Sequence, residues 1–561
     1  MEHPVDRLRE AVGSAASSLA GDSAPGPSAL ALDRPKNPDH GDYATNVAML
    51  IAGGLRLPPR DVAGGIAGNL RTSLGADLEG IDVAGPGFLN IKLSDDWYRR
   101  ALAHVVAAGR NYGSGGAARQ EMINVEFVSA NPTGPVHVGH ARNAAVGDTL
   151  SRLLSFAGHE VTREYYINDY GSQVLNLGRS VQARARGEEV PEDGYVGDYV
   201  ASLALEIEDS ATKPVEEVAA EAVELMVGRI RDSLHAFGVD FDVWFSEKSL
   251  HDVDASAGVT GLQHGIDVLR AEGHTYESEG ALWLRTTDFT DDKDRVVVRS
   301  TGEHTYFGSD IPYIQNKRER NFSRLIYVLG ADHHGYIARM QAAFQALGGQ
   351  IEDLELFIMQ FVHLVRDGEK VSMSKRAGEY VTLDELIEEI GVDAARWYLI
   401  NRSHDTTIEV DLALASSESS ENPVYYVQYA HARIAAILRK AGEERVAEAV
   451  AEFEQVERAA EDGGETLPAL PELTASERKL ISMLLDWPSE ATEAAERRAP
   501  HRLATYALSL AQAFSAFYRD CPVVGAEPRE LESLRIALAV ATQRTLATTL
   551  DLLGVSAPAE M

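Results

Sequence analysis

Two histidines lie three residues apart directly after a turn-forming segment. Residues 131–143 read NPTGPVHVGHARN, so only Val138 and Gly139 separate His137 from His140. Positions three apart share one face of a helix, so both imidazoles would point to the same side. A helix start presents unpaired backbone N–H groups, and glycine lets a ligand approach the main chain closely. The spacing predicts an anion site with phosphate as its ligand.

Spacing alone leaves two other interpretations open: incidental histidines on a surface helix, or a metal site completed by carboxylates from elsewhere. A second segment favours phosphate. Residues 367–383 read DGEKVSMSKRAGEYVTL and carry Lys370, Lys375 and Arg376 beside hydroxyl side chains. A basic loop is usually solvated surface. Together with the histidine turn, however, it could bring cations and hydroxyls onto a polyphosphate.

Two further candidates occur where apolar strands are predicted. Glu126 lies inside the run INVEFV, where an ionised carboxylate is costly unless a cation meets it. That cation is either a ligand or an internal Arg or Lys. The strand-like RLIYVL is followed by GADHHG (330–335). By itself this turn could simply cap a helix, with Asp332 accepting backbone hydrogen bonds.

The composition limits what can position these residues. With 561 residues, of which 45% are hydrophobic, the chain is long enough for several folded domains. The net charge of −34 means that a nucleic acid must meet local basic patches, such as the interval QNKRERNFSR (315–324). The single cysteine, Cys521, excludes disulfides within the chain and zinc sites built from several thiolates. We expect a cytoplasmic protein without a membrane span.

Apolar strands that alternate with helices predict an α/β fold with a parallel sheet, whose ligands bind beyond the carboxyl ends of the strands.

The acidic, mixed pattern of residues 181–300 suggests an insertion without the central chemistry. The polar segment 452–477 is predicted to be a long loop, and Thr382 and Glu385 are predicted to form a capping box. The predicted units are an N-terminal α+β domain at 1–112, a Rossmann-type domain at 113–415 and an all-α helical bundle at 416–561.

The histidine turn and the cationic loop resemble the HIGH and KMSKS signatures of class I aminoacyl-tRNA synthetases. The fuller similarity is to arginyl-tRNA synthetases, and it extends over essentially the whole chain. The stretches that carry it are GPGFLNIKL (85–93), VEFVSANPTGPVHVGHARNAAVGD (125–148), GADHHG (330–335), MSKRAGEYVTL (373–383) and ENPVYYVQYAHAR (421–433).

The resemblance implies a two-step reaction. The arginine carboxylate attacks the α-phosphorus of ATP and releases pyrophosphate, and the arginyl group then moves to the 2′-hydroxyl of the terminal adenosine of the tRNA, with release of AMP. It assigns catalysis to His137, His140 and Lys375. The ATP-binding residues that it implies are His137, Gly139, His140, Gly330, Asp332, His333, Met373, Ser374 and Lys375.

The resemblance also implies an arginine pocket, formed by Glu126, Asn131, Tyr306, Asp310 and His333. Two carboxylates and an aromatic ring suit a planar guanidinium, which can be bound bidentately and stacked where an ammonium cannot. A site of this kind can discriminate by about 10⁴- to 10⁵-fold without editing. We therefore expect lysine to be rejected.

The family also implies the partners. These are arginine tRNA, L-arginine and ATP, with Mg²⁺ bound to the ATP and with no protein-bound zinc or other metal site. In the bundle, Tyr425, Tyr426, Tyr429 and Arg433 are candidates for contacts with tRNA bases and phosphates, although tyrosines at helical spacing are mostly core. We expect no membrane partner and a monomeric protein.

The cationic loop departs from the KMSKS pattern at two positions, with Ser372 in place of the first lysine and Arg376 in place of the last serine. It is open how far Lys370 replaces the missing cation. The alternatives are a nucleotidyltransferase with a similar histidine turn, another class I synthetase, and an inactive tRNA-binding relative. The cysteine-specific synthetase is disfavoured because its zinc site needs thiolates. Intact His137, His140 and Lys375 argue against the inactive relative.

Overall fold

The computed structural model describes residues 2–21, 24–26, 29–253, 258–289, 291–366, 368–371, 380–461 and 470–561. Its strands are β1 (Tyr43–Thr45), β2 (Leu78–Ala84), β3 (Phe88–Leu93), β4 (Met122–Phe127), β5 (Glu160–Ile167), β6 (Val243–Ser246), β7 (Thr275–Ser278), β8 (Ala281–Leu284), β9 (Arg295–Val298), β10 (Arg324–Gly330), β11 (Leu354–Met359), β12 (Val362–Arg366), β13 (Glu369–Lys370) and β14 (Ile408–Asp411).

The helices complete the layers around these strands. They are α1 (Pro4–Ala20), α2 (Val47–Leu55), α3 (Pro59–Leu74), α4 (Asp95–Ala108), α5 (Val138–Ala157), α6 (Ser172–Arg186), α7 (Asp198–Glu206), α8 (Val215–Ala236), α9 (Gly261–Ala271), α10 (Tyr306–Glu319), α11 (Ile337–Ala346), α12 (Leu383–Ile390), α13 (Val392–Ile400), α14 (Leu412–Ala415), α15 (Pro423–Ala441), α16 (Glu443–Glu461), α17 (Ala475–Glu496), α18 (His501–Asp520) and α19 (Arg529–Leu553).

Parallel strands form the central sheet in the order β11-β10-β4-β5-β6. β4 occupies the middle and is buried at every residue but the first, which explains its nearly continuous apolar sequence. The chain runs outward from β4 to β6 and then crosses to β10, so the strand order reverses between β4 and β10. Ligands of such sheets bind outside the carboxyl ends of the strands at this reversal. The predicted α/β fold is confirmed.

Helix α5 packs directly on β4 because one of its residues lacks a side chain. A Cβ built on Gly147 would lie 2.3 Å from the ring of Phe127, so only glycine permits this approach. The opposite end of β4 is tied to β10 through the backbone N–H of Ser323, which donates to the carbonyl of Met122 at 2.9 Å. These contacts fix the start of α5 at the carboxyl edge of the sheet.

The N-terminal region combines α1 to α4 with the antiparallel sheet β1-β3-β2, and α15 to α19 form the C-terminal helical region. Helix α16 continues to Glu461, so the loop predicted at 452–477 is shorter than expected. Its polar sequence conceals a buried face: Phe453 packs in the core, and buried Glu457 forms a hydrogen bond with His104 of α4 at 2.9 Å. Contact with another domain, which leaves no local pattern, stabilises this part of the helix.

The range 181–300, expected to be an insertion, is structurally divided. It includes β6, the edge strand of the central sheet, as well as helices and the small antiparallel sheet β7-β8-β9. The small sheet supports the start of α10, since Thr305 donates its backbone N–H to the carbonyl of Val297 at 3.0 Å. Part of this range therefore belongs to the framework of the site.

Across the portions of the chain that the structure describes, every helix is too short or too polar to pass through a lipid bilayer.

Candidate active site

The two histidines lie at the start of α5. His137 is the N-cap residue, and its Nδ1 accepts a hydrogen bond from the backbone N–H of Gly139 at 3.1 Å. The rings of His137 and His140 stack with their centroids 3.8 Å apart. Gly139 is exposed, so its main chain is accessible to a ligand. These three predicted residues therefore meet where a helix N-terminus attracts anions.

The chain that leaves the cationic loop returns to the same helix start. The backbone N–H of Val138 donates to the carbonyl of Val381 at 3.1 Å. His137 and Thr382 form an isolated antiparallel bridge, and the Tyr380 ring meets the His137 ring edge-on at 5.6 Å. The exit of the loop is thus bonded to the residue that begins α5.

Five predicted residues of the loop lie outside the described residues: Ser372, Met373, Ser374, Lys375 and Arg376. Immediately before them, Lys370 on β13 forms an exposed ion pair with Glu409 at 3.1 Å. After them, Thr382 and Glu385 form the predicted capping box, which is confirmed. Both flanks of the loop are thus held by described contacts.

A strained turn connects β4 to the histidines. Val128 and Ser129 have φ values of 67° and 40°, and a left-handed backbone is particularly unfavourable for β-branched valine. The Ser129 hydroxyl donates to Glu126 Oε1 at 3.0 Å and accepts the backbone N–H of Tyr166 at 3.1 Å. The turn therefore holds the Glu126 carboxylate and links β4 to β5.

Glu126 is paired with an internal lysine, as the structural alternative anticipated. Lys317 Nζ of α10 donates to Glu126 Oε2 at 2.6 Å, and the Tyr313 hydroxyl donates to the same oxygen at 2.9 Å. The Lys317 side chain is 0% exposed, and its ammonium lies 4.0 Å from the centre of the Tyr327 ring. Glu126 is thus compensated within the protein.

A second buried acid on the neighbouring strand is compensated in the same way. Arg320 binds Glu164 bidentately at 2.7 and 2.9 Å, and the single Tyr313 hydroxyl proton is shared between the two acids, with its oxygen 2.7 Å from Glu164 Oε1. Burial opposes ionisation of Glu164, but Lys317 and Arg320 outweigh it and hold its pKa below the ordinary value. The two acids and two cations form one neutral network.

These contacts revise the interpretation of the basic interval 315–324 as a surface for tRNA. Lys317 and Arg320 belong to the buried network, and Arg324 binds Glu121 at 3.0 Å and Glu355 at 2.9 Å. Three of its cations therefore hold the central sheet together. The local sequence suggests a basic surface, but these three cations form ion pairs with acids elsewhere in the chain.

Asp310 lies one helical turn beyond Tyr306 on α10 and has a different environment. The Tyr336 hydroxyl donates to Asp310, and the rings of Tyr306 and Tyr336 meet edge-on at 6.3 Å. Burial, together with Glu247 and Glu126, raises the pKa of Asp310 to about 7, and the Tyr336 hydrogen bond opposes this increase. Tyr306 is 66% exposed, so its ring at the start of α10 is accessible to solvent.

Glu247, which the sequence reasoning did not identify, directly follows β6. It forms a hydrogen bond with the hydroxyl of Tyr166 on β5. Burial and the nearby Asp169 raise the pKa of Glu247 to about 7, against that bond. The sequence does place this acid directly after the apolar run VWFS. Ligand-binding residues of a parallel sheet are expected at such a position, the carboxyl end of a strand.

The remaining predicted residues lie at the same edge of the sheet. Gly330 ends β10, and residues 331–336 continue as a short 3₁₀ helix. His333 is partly buried within it, and the Asp332 backbone is described whereas its side chain is not. Asn131 is exposed after β4. These placements are compatible with a shared site and assign no role.

Among the side chains that the structure describes, no group of three or more His, Cys, Asp or Glu residues could hold a metal ion.

Three family models match the chain. The tRNA synthetases class I (R) catalytic domain matches residues 101–194 and 212–436, more than half of the sequence. The arginyl tRNA synthetase N terminal domain matches residues 6–93, and the DALR anticodon binding domain matches residues 427–561.

Solved structures with the same architecture include three described as arginyl-tRNA synthetases. A putative one from Campylobacter jejuni is 32% identical with a TM-score of 0.73, covering 84% of this chain and 100% of its own. The Thermus thermophilus enzyme is 26% identical with a TM-score of 0.75, over 99% of both chains. The Plasmodium falciparum enzyme, 18% identical with a TM-score of 0.72 over 100% of both chains, supports the fold alone. The chain belongs to the class I arginyl-tRNA synthetase family.

Proposed function

We propose how this arginine–tRNA ligase carries out its reaction. An oxygen of the arginine carboxylate attacks the α-phosphorus of ATP, and the bond to the bridging oxygen breaks, so that pyrophosphate leaves and arginyl-adenylate forms. The 2′-hydroxyl of the terminal adenosine of the tRNA then attacks the arginyl carbonyl carbon. AMP leaves with the former phosphate–carboxyl oxygen.

One observation carries the phosphate part of the proposal. The exit of the cationic loop, at Val381 and Thr382, is hydrogen-bonded beside His137 at the start of α5. We propose that His137, His140 and the exposed backbone at Gly139 stabilise the phosphates, and that Lys375 binds the leaving pyrophosphate. Donors fixed where charge develops typically contribute about 10²- to 10³-fold in rate each.

The other ligands follow from the same edge of the sheet. We propose that ATP also contacts Gly330, Asp332, His333, Met373 and Ser374. Mg²⁺ would accompany ATP as part of the substrate and offset phosphate charge.

Arginine would lie between the acidic ends of β4 and α10. Glu126, Asn131, Tyr306, Asp310 and His333 would surround it, with the guanidinium facing the carboxylates and the exposed Tyr306 ring. Partly desolvated acids that face an open edge favour a cation with several N–H donors.

The proposed surface for the tRNA anticodon lies on α15. The rings of Tyr425 and Tyr429 are nearly parallel with centroids 6.3 Å apart, and the guanidinium of Arg433 lies 4.5 Å from the Tyr518 ring. Tyr429 is 43% and Tyr518 37% exposed. Exposed rings with an interleaved cation can stack on bases and neutralise phosphate. We propose that this surface meets the anticodon and that the N-terminal region meets the tRNA body.

The test measures activation and transfer separately with the full chain. We expect exchange between ATP and pyrophosphate that requires arginine and cognate tRNA, followed by arginylation of that tRNA. His140→Ala should lower the exchange rate by about 10²- to 10³-fold, whereas His235→Ala, which alters a histidine 77% exposed on α8, should not. Exchange driven by a different amino acid would refute the substrate assignment. We further propose a cytoplasmic monomer, and sedimentation as a dimer would overturn that state.

A further inference from the structure

Arg142 is a buried cation on the helix that carries the two histidines, two residues beyond His140. Its side chain is 0% exposed. One terminal nitrogen, Nη1, donates to the carbonyl of Gln360 at 2.7 Å and to that of Thr406 at 2.9 Å, and the other, Nη2, donates to the carbonyl of Ser403 at 2.9 Å. These acceptors belong to two separate segments of the chain, so one side chain joins both segments to α5.

The two segments lead into neighbouring strands of the sheet β13-β12-β14. Gln360 lies two residues before β12, and Thr406 lies two residues before β14. The strands β12 and β14 are parallel, so Arg142 holds the ends at which both of them begin. Beside these contacts, the backbone N–H of Ile408 donates to the carbonyl of Phe361 at 3.0 Å and joins the two strand ends to each other.

The same sheet carries the entry of the cationic loop. β13 pairs antiparallel with β12, and Val371 directly after β13 donates its backbone N–H to the carbonyl of Leu364 in β12 at 2.9 Å. The exit of the loop is bonded to α5 directly, since the carbonyl of Val381 accepts the backbone N–H of Val138. Both flanks of the loop are therefore connected to α5, the exit by its own backbone and the entry through the sheet and Arg142.

Arg142 differs from the other fully buried arginine in what it binds. Arg396 pairs with Asp148 at 2.6 Å, whereas the hydrogen bonds of Arg142 to described residues all end on backbone carbonyls. Burial lowers the pKa of Arg142 to about 10, which leaves it charged near neutral pH. Burial of a charge is costly, and the planar guanidinium offsets this cost with N–H donors in fixed directions. Both segments are thus held in a defined orientation to α5.

We propose that Arg142 is a positioning residue for the activation step, because it fixes the sheet β13-β12-β14, and with it the entry of the cationic loop, relative to the histidines of α5. The inference rests on the role proposed for Lys375 in binding the leaving pyrophosphate. Arg142 acts through the loop and not on the substrate, so its effect should appear only in the step that uses the loop. A misplacement of about 1 Å can cost about 10²-fold in rate.

Arg142→Lys tests the assignment, because it keeps the charge and removes the planar fork of donors. In the full-length protein with saturating cognate tRNA, we expect the kcat of ATP–pyrophosphate exchange to fall by about 10- to 100-fold, with little change in the KM for arginine. The second step is measured separately, as a single turnover of chemically prepared arginyl-adenylate with tRNA. Its rate should stay near that of the parent, because no pyrophosphate leaves in this step.

A double-mutant cycle with Lys375→Ala shows whether Arg142 acts through the loop. Residues that act as a unit give effects that do not add. If Arg142 places the loop, Arg142→Lys should therefore slow exchange only slightly further once Lys375 has been replaced. Fully additive losses would mean that the two residues act independently, and they would overturn the inference.

Two further variants complete the test. Arg142→Gln removes the charge and keeps two N–H donors with a shorter reach, so it buries no cation and serves if Arg142→Lys folds poorly. It should also slow exchange and spare transfer. Arg99→Lys is the matched control, since Arg99 of α4 is 5% exposed and donates to the carbonyl of Pro471 at 2.6 Å. It should match the parent in both steps at saturating tRNA.

The outcomes distinguish this inference from the proposed function. A parent that does not activate arginine, or an exchange rate unchanged by Lys375→Ala, would refute the proposed function itself. If the parent is active and Lys375 matters, an Arg142→Lys variant that matches the parent, or that slows exchange and transfer equally, would overturn the inference alone. Full exchange activity in Arg142→Lys with a loss in Arg142→Gln would also overturn it, because the effect would then come from charge and not from placement.

Discussion

Carboxylates of two kinds occur within a single region of the molecule. Glu126 and Glu164, on the two central strands, are paired with Lys317 and Arg320. Asp310 and Glu247, at the edge where ligands of this fold bind, have raised pKa values because burial is not offset by a cation. Acids of the same type are thus held in internal ion pairs on the strands, whereas those at the edge have no ion pair with a described cation.

The comparison shows that the partner of an acid is more informative than its burial. A buried ion pair is costly to break from one side, because the remaining charge is stranded. An unpaired acid at a cleft is instead costly to keep ionised until a ligand arrives, and such groups concentrate at functional sites. Burial alone does not reveal that Glu126, which is 7% exposed, already has an internal cation.

The largest effect is expected from breaking the compensated pair. Lys317→Met leaves Glu126 buried without its cation, and the free energy of unfolding should fall by about 3–5 kcal/mol. Calorimetry should detect this as a lower Tm for the transition of the catalytic region. Glu126→Gln combined with Lys317→Met should restore much of the loss, because neither charge remains. A single variant as stable as the parent would contradict the structural role of the pair.

Removing an uncompensated acid should instead weaken arginine binding without lowering stability. Asp310→Asn should raise the KM for arginine by about 10- to 100-fold, since a charge-assisted contact is lost. Its Tm without arginine should not fall, because no internal cation is stranded. The paired measurement of KM and Tm is the check, and the matched comparison is Lys317→Met. A large loss of stability in Asp310→Asn would instead group Asp310 with Glu126 and Glu164, whose charges stabilise the fold.

The pH dependence of arginine binding should follow the two acids. Their pKa values of about 7 mean that both are largely protonated at pH 6 and ionised at pH 8. If one of them must ionise to bind the guanidinium, KM should fall by about tenfold across this interval. Glu247→Gln and Asp310→Asn should each flatten the profile. A parent profile that is flat between pH 6 and 8 would contradict the ionisation.

The raised pKa values of Asp310 and Glu247 also determine whether stability rises or falls with pH. The folded pKa of each acid lies above its unfolded value, so its contribution is fully present below about pH 4 and is lost as pH rises through 7. The protein without arginine should therefore lose stability from these groups between pH 4 and 8. Relative to Asp310→Asn, the parent should lose more Tm over this range. Added arginine should raise the parent Tm more at pH 8 than at pH 6.

The sequence was sufficient for the elements whose signals are local. The buried run of β4, the turn before His137 and the capping box at Thr382 and Glu385 all follow from short patterns. The resemblance also led to the correct family. Placement of the turn before His137 and the turn GADHHG at one edge required only the rule for parallel sheets, whereas Asp310 was implied by the family resemblance.

What the sequence could not supply depends on contacts between distant residues. Lys317 lies 191 positions from Glu126, and nothing local indicates their pairing. Glu247 was overlooked because β6 has only four residues, too few for a periodic signal, and lies in a range interpreted as an insertion. Compensation of charge is a property of the folded assembly, so only the structure shows which acids have an internal cation.

The smallest effect should come from removing the Tyr336 hydroxyl, which lowers the pKa of Asp310. The Tyr336 hydroxyl donates to Asp310 and lowers its pKa against the effect of burial. Tyr336→Phe removes one hydrogen bond, worth about 0.5–1.5 kcal/mol, so KM for arginine at pH 7 should rise by only about two- to tenfold.

The direction of the pH shift distinguishes this effect from a direct contact with arginine. The fall in KM should move to higher pH, because Asp310 then ionises less readily. Tyr506→Phe, which removes a hydroxyl donating to the carbonyl of Met483 in the C-terminal bundle, is the control and should leave the profile in place. An unshifted profile in Tyr336→Phe, with KM raised equally at every pH, would mean that the phenol positions arginine directly rather than setting the charge of Asp310.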